Sequence, residues 1–373
     1  MERLQKQQIL MDLNKKIVFI IGPRQVGKTW LAKDIAKNFN KPVYLNYDSI
    51  QDKKIIHSES WLNSTDLLIL DELHKMKRWK NHLKGIFDTK PEKMKILVTG
   101  SARLATFQKS GDSLAGRFFS HTLFPFSPAE LFGTNYNNID RFLERGGFPE
   151  PFLTNNLNDA NRWRYEYING LIRTDILDFE NIHNLKSIEI VLELLRLRVG
   201  SKTSYASIAQ DVGISPNTVK KYIQVLEALF IVFRVTPFSK NIARSLMKDP
   251  KIYFYDSGMV KGDKGALAEN MTAVCLLKHV SGKTESTGIK WELNYIRTKD
   301  GKEIDFCIVK DGKAKHLLEV KYSDHNLSPT LINFSQKLAV KGSQIVFNLK
   351  RERKENNNIE IRDAFSFLSE LSI

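Results

Sequence analysis

The stretch Gly22-Pro23-Arg24-Gln25-Val26-Gly27-Lys28-Thr29 constrains this chain more than any other. It meets the spacing G-x-x-x-x-G-K-[ST] in full, and both flanks agree with it. Lys16 to Ile21 (KIVFII) has the continuous apolar character of a short buried strand, and Thr29 to Phe39 (TWLAKDIAKNF) reads as a helix. The glycines let the backbone curl so that successive N–H groups point inward, and the helix N-terminus adds partial positive charge. Those eight residues form a cradle for phosphate oxygens. Lys28 is expected to reach the β and γ phosphates and the Thr29 hydroxyl to face a magnesium ion, so the expected cofactors are ATP and magnesium.

Further along, Pro42 to Asn46 reads as a second strand, and Asp66 to Glu72 (DLLILDE) as an apolar strand ending in two carboxylates. Downstream of a phosphate loop, that pattern assigns Asp71 to the magnesium ion through water and Glu72 to the water that attacks the γ phosphate. Lys95 to Thr99 (KILVT) is the next strand and runs into Gly100-Ser101. A polar side chain at that tip touches the γ phosphate or the attacking water. Ser101 is the first choice for this sensor and Thr99 the second. Arg117 follows a glycine in SLAGR. It is expected either to reach a phosphate, in cis or from a neighbouring subunit of a homo-oligomer, or to form an ordinary ion pair. Glu72 beside Asp71 suits water activation better than phosphoryl transfer to a substrate, and Asn46-Tyr47-Asp48 is not a guanine-reading motif.

At 373 residues the chain exceeds one ordinary core and calls for two to four domains. With 42% hydrophobic and 27% charged residues it has the composition of a soluble globular protein. There is no long apolar run, and MERLQKQQILMDL lacks the apolar centre of a signal peptide, so a cytoplasmic protein without a membrane partner is expected. Cys275 and Cys307 sit in apolar stretches without CxxC spacing, which predicts buried reduced thiols and no zinc. The net charge of +15 attracts polyanions such as nucleic acid without separating DNA from RNA, and a lysine-rich soluble surface carries the same charge.

Residues 136–200 read mostly as helices, with Trp163, Tyr165 and Tyr167 expected in core packing. From Ser204 to Leu229, one helix ends at Gly213, and a second starts with Ser215 as cap and Pro216 at its first position. Val219, Tyr222, Ile223, Leu226 and Leu229 form the apolar face of the second helix. Asn217, Thr218, Lys220, Lys221 and Gln224 point away from it. This is a helix-turn-helix pattern with a polar, basic recognition face. The strands FIVFRVTPF and KIYFYD follow, and the loop between them holds Lys240, Arg244 and Lys248, a wing suited to phosphate backbone. The same architecture also serves for protein contacts or as a spacer.

The C-terminal part alternates a helix with Glu269 near its start, three strands, a helix and a strand. Asp305 lies in the second strand, and Glu319-Val320-Lys321 in the third, where strand alternation puts Glu319 and Lys321 on one face. A hairpin brings Asp305 beside them. Glu269, Asp305 and Glu319 are expected metal ligands of hard-oxygen type, and Lys321 is expected to orient a water or stabilise a transition state. The pattern resembles a PD-(D/E)XK nuclease core, either active or retained as a scaffold.

GPRQVGKT, LLILDELHK, LVTGSA, SLAGR, LFPFSPAEL and GGFPE, in that order, resemble the AAA-type ATPase domain of the bacterial and archaeal DUF4143-containing ATP-binding proteins. The resemblance covers nearly the whole chain and implies an α/β multidomain protein. Its expected parts are a P-loop ATPase domain over 1–135, a helical lid over 136–200, a winged helix-turn-helix over 201–256 and a nuclease-like domain over 257–373. It implies an ATPase whose nucleotide state controls DNA binding and magnesium-dependent DNA cleavage. The alternative is an ATP-switched DNA-binding or protein-interaction module with a silent nuclease fold.

Overall fold

Five consecutive buried residues, Ile17–Ile21, form the strand β1 on which the N-terminal sheet is built. The structure, a computed structural model, describes residues 2–100, 114–172, 184–239, 249–298, 300–324, 326–356 and 358–373. Around β1 lie β2 (Pro42–Asn46), β3 (Leu67–Asp71), β4 (Lys95–Thr99) and β5 (Phe118–Thr122), in the order β2-β3-β4-β1-β5. Every pairing is parallel. A parallel sheet covered on both faces wants apolar residues throughout, which is why IVFII and LLILD do not alternate. Phe19, Leu68, Leu70 and Val98 pack with Leu83 and Ile86 of the helix Trp79–Thr89. Because the strands run the same way, their carboxyl ends share one edge. Gly100 N donates to Ile20 O at 3.2 Å and Glu72 N to Thr99 O at 3.0 Å, which draws the three functional loops together. Ligands of open α/β sheets bind at such an edge.

The chain divides into compact units at Phe124/Pro125, upstream of the expected boundary at 135. Local chemistry explains the shift. Ser127 and Glu130 form a capping box on the short helix Pro128–Leu131. Lys278, from the helix Lys264–Thr287, reaches into it and donates to Pro125 O at 3.2 Å, to Ser127 Oγ at 3.1 Å and to the Glu130 carboxylate.

After the short helix Pro128–Leu131 the second unit continues with helices at Ile139–Arg145, Pro149–Leu153, Leu157–Gly170 and Leu185–Arg196. Trp163 and Tyr167 stack with ring centroids 4.7 Å apart in the core, as expected. Tyr165 does not join them and is 68% exposed, since two helical residues carry it round to the other side. Helices Tyr205–Val212 and Pro216–Ala228 follow, separated by Gly213 at φ 74°. Ser215 Oγ caps the second by accepting from Thr218 N at 3.1 Å.

Eight strands then form one mixed sheet in the order β12-β13-β11-β10-β9-β8-β6-β7. They are β6 (Val232–Pro237), β7 (Lys251–Phe254), β8 (Trp291–Arg297), β9 (Glu303–Lys310), β10 (Lys313–Lys321), β11 (Lys341–Val346), β12 (Arg353–Asn356) and β13 (Ile359–Asp363). The pair β6–β7, expected to belong to a separate 201–256 domain, instead extends this sheet. Thr236 pairs with Asn294 and Pro237 with Tyr295. The expected boundary at 256/257 therefore cuts through a continuous sheet. Cys275 and Cys307 are buried free thiols, and burial pushes both up to about 12. Among the described residues no helix is long and apolar enough to cross a membrane.

Candidate nucleotide site and C-terminal acidic cluster

The loop after β1 has the shape its glycines allow. Gly22 sits at φ 141°, where a Cβ would overlap the Leu123 carbonyl, and Gly27 at φ 98° opens the helix Lys28–Ala36. Pro23, Arg24, Gln25 and Val26 complete the turn, with Gln25 also left-handed at φ 58°. Lys28 is buried, and its Nζ donates to the loop's own carbonyls, Gly22 O at 3.1 Å and Pro23 O at 2.6 Å. Burial lowers its pKa to about 8, against the pull of Glu72 and Asp71.

Asp71 ends β3 at 4% exposure and collects three hydroxyls. Thr29 Oγ1 donates to Oδ2 at 2.9 Å, Tyr44 OH to the same oxygen at 2.6 Å, and Thr99 Oγ1 to Oδ1. Thr99, the second choice for a phosphate sensor, thus spends its hydroxyl on Asp71, while Ser101, the first choice, lies outside the described residues. Tyr44 was not singled out by the sequence. The only signal for it is a hydroxyl two residues before the end of the strand beside β3. Glu72 holds a left-handed φ of 56°, with Oε2 at 3.6 Å from both His74 Nε2 and Lys75 Nζ. Burial raises its pKa, so it is a better proton acceptor than an exposed carboxylate.

Of the two readings of Arg117, the structure contains the ion pair. Its carbonyl accepts from Ile17 N at 3.0 Å, which places it at the amino end of β1. The phosphate loop leaves the carboxyl end, roughly 13 Å away for a five-residue strand. Its guanidinium pairs with Asp88, Nε to Oδ1 at 3.1 Å. The ion-pair reading describes what the structure contains, and an in-cis reach to the phosphate does not fit it.

In the second unit, Glu269, Asp305, Glu319 and Lys321 come together, but around an unexpected residue. Lys251 of β7, with a side chain 2% exposed, places Nζ 2.6 Å from Glu303 Oε1, 3.1 Å from Glu269 Oε1 and 3.7 Å from Asp305 Oδ1. Burial opposes its charge, but Glu269, Asp305 and Glu303 outweigh that and hold it above the ordinary lysine range. Burial and then Asp305 raise both Glu269 and Glu319. Lys321 Nζ sits 3.0 Å from Glu319 Oε1, and Glu319 Oε2 is buried without a hydrogen-bond partner. Among the described residues no group of three or more His, Cys, Asp or Glu is arranged to hold a metal ion. The expected ligand set Glu269, Asp305, Glu319 is not assembled as a metal site here: Glu269 and Asp305 face the Lys251 ammonium, and Glu319 faces Lys321.

On the helix Pro216–Ala228, Val219, Tyr222, Ile223 and Leu226 are buried, whereas Asn217, Lys220, Lys221 and Gln224 are exposed. Thr218 is half-buried, its hydroxyl 2.9 Å from Ser215 Oγ at the cap. Lys240 and Arg244 lie outside the described residues.

Residues 14–132 match the family described as AAA domain, and 264–365 match the domain of unknown function DUF4143. The chain is thus similar to AAA domains in its N-terminal third and to DUF4143 domains near its C-terminus. Residues 136–265, between them, match a further domain of unknown function, DUF8612. An uncharacterized protein of Mycobacterium tuberculosis is 24% identical over 318 residues, covering 80% of this chain and 68% of that one. An uncharacterized protein of Methanocaldococcus jannaschii is 25% identical over 349 residues, with 82% and 75% covered. Among solved structures, a Walker-type ATPase of Pyrococcus abyssi covers 68% of this chain and 93% of its own at 13% identity and a TM-score of 0.46.

In the AAA domain the donor set fits magnesium. Thr29 Oγ1 and Asp71 Oδ2 are hard oxygens 2.9 Å apart at the mouth of the phosphate loop. Tyr44 fixes the carboxylate from the side. Tyr44→Phe removes one donor to a charged acceptor and is expected to cost about 1.5–3 kcal/mol of stability in denaturant melts while ATP still binds. Unchanged melts would show that Thr29 and Thr99 hold Asp71 by themselves.

Proposed function

We propose that this protein binds and hydrolyses ATP at the Gly22–Thr29 loop and uses its nucleotide state to control DNA binding by the helix pair 205–228. One observation carries the first half: Lys28, the Thr29–Asp71 contact and the raised Glu72 carboxyl meet at a single sheet edge. The loop N–H groups and the helix N-terminus bind the phosphates. Lys28 trades the Gly22 and Pro23 carbonyls for phosphate oxygens, a charge-assisted exchange that rewards occupancy. Glu72 accepts a proton from the attacking water and orients it. Magnesium, when bound, neutralises charge on the phosphate oxygens.

The second half rests on the net charge of +15 and on the exposed Asn217, Lys220, Lys221 and Gln224 of a capped helix. Lys220→Ala with Lys221→Ala is expected to weaken duplex binding and flatten its log–log salt slope by up to about two, one for each lost phosphate contact. The check is a salt titration of DNA affinity with and without ATP. An unchanged slope returns those lysines to the solvated surface, and affinity indifferent to ATP removes the coupling.

For the C-terminal sheet, DNA cleavage and a non-cleaving scaffold both agree with the motif. The position of Lys251 among the carboxylates favours the scaffold.

A further inference from the structure

We propose that Lys251 is the resident cation of the C-terminal acidic cluster: its ammonium stands where a divalent ion would stand, so the wild-type cluster binds none. An ammonium has three protons to give, and three carboxylates from two elements converge on this one. Glu303 and Asp305 come from β9 at 2.6 and 3.7 Å, and Glu269 comes from the helix Lys264–Thr287 at 3.1 Å. The neighbouring donors complete the arrangement. Tyr253, two residues along β7 and hence on the same face, gives its hydroxyl to Glu269 at 2.7 Å. Val320 N donates to Asp305 Oδ2 at 2.8 Å, and Arg297 Nη1 to Glu303 Oε2 at 2.5 Å. Each of these carboxylates therefore has a protein donor besides Lys251.

The backbone closes over the cluster as well. A Cβ on Gly200 would lie 2.6 Å from Glu269 Oε2, so no side chain or hydrated ion fits between them. What remains is the unpartnered Glu319 Oε2, and one oxygen is not the near-octahedral set that magnesium demands. On this reading the acids serve a buried lysine brought in by the β6–β7 pair. The inference is independent of DNA binding by the helices.

The test is manganese binding followed by electron paramagnetic resonance without nucleotide. A site is assigned to the cluster only if Asp305→Asn removes it. The wild-type protein is expected to show no such site at millimolar manganese, and its melting temperature is expected to be indifferent to the ion. Lys251→Met is expected to gain one Asp305-dependent ion and to be stabilised by it, whereas Lys251→Arg stays blind to manganese. Asp305-dependent binding by the wild-type protein overturns the proposal. A folded Lys251→Met that gains no ion does the same. Should Lys251→Met not fold, the wild-type and Lys251→Arg measurements decide: binding by either overturns the proposal, and binding by neither upholds it. No DNA enters any of these measurements, so a failed DNA-binding reading cannot be confused with a failed result here.

Discussion

Replacing Glu72 with glutamine is expected to leave ATP bound and to slow its hydrolysis by about 10²–10⁴-fold, the range associated with loss of a positioned general base. Glutamine keeps the shape and the left-handed turn that φ 56° imposes, but it accepts no proton at neutral pH. Lys28→Ala removes a different function. It deletes the buried ammonium that now rests on two loop carbonyls, and ATP binding should be lost along with turnover. The pair is diagnostic when equilibrium nucleotide binding and phosphate release are measured side by side. Normal hydrolysis by Lys28→Ala would mean that the nucleotide sits elsewhere. Tight binding with normal turnover in Glu72→Gln would transfer the base role to another residue.

The second large effect is on stability. Lys278 and Glu130 are a nearly inaccessible ion pair, with side chains 3% and 0% exposed. Lys278→Met removes the Lys278 ammonium from the buried Glu130 carboxylate, and breaking such a pair costs about 3–5 kcal/mol. For a unit of this size that lowers the melting temperature by on the order of 10 °C. Adding Glu130→Gln removes the buried charge and should restore part of the loss, because the glutamine amide oxygen can still accept from Ser127 N without carrying charge. Equal melting of single mutant and wild type in calorimetry would show that water reaches the carboxylate.

The nucleotide edge was legible because its elements are local: each strand and the loop after it are contiguous in sequence, and a parallel sheet brings the loop ends to one edge. The choice between the two readings of Arg117 stayed open for the complementary reason. A glycine-arginine pair before a strand does not say which end of the sheet it joins, and only the pairing of β1 with β5 does. Tyr44 and Lys251 escaped notice because each acts on residues more than 25 positions away or on another strand pair. A lysine at the start of KIYFYD reads only as the first residue of a strand until the carboxylates of β9 are placed beside it. The acid spacing of the C-terminal strands was readable, but the counter-charge that decides its chemistry was not.

The sheet that runs from β12 to β7 also bears on where the chain can be cut. The two family matches meet at 264–265, yet the strands on either side of that seam hydrogen-bond to one another through Thr236 and Asn294. A C-terminal half exchanged without its predecessor would arrive with a bare strand edge and three acids lacking their lysine. Cutting the chain at this seam therefore separates hydrogen-bonded strands, so the two matched regions of this chain depend on each other for folding.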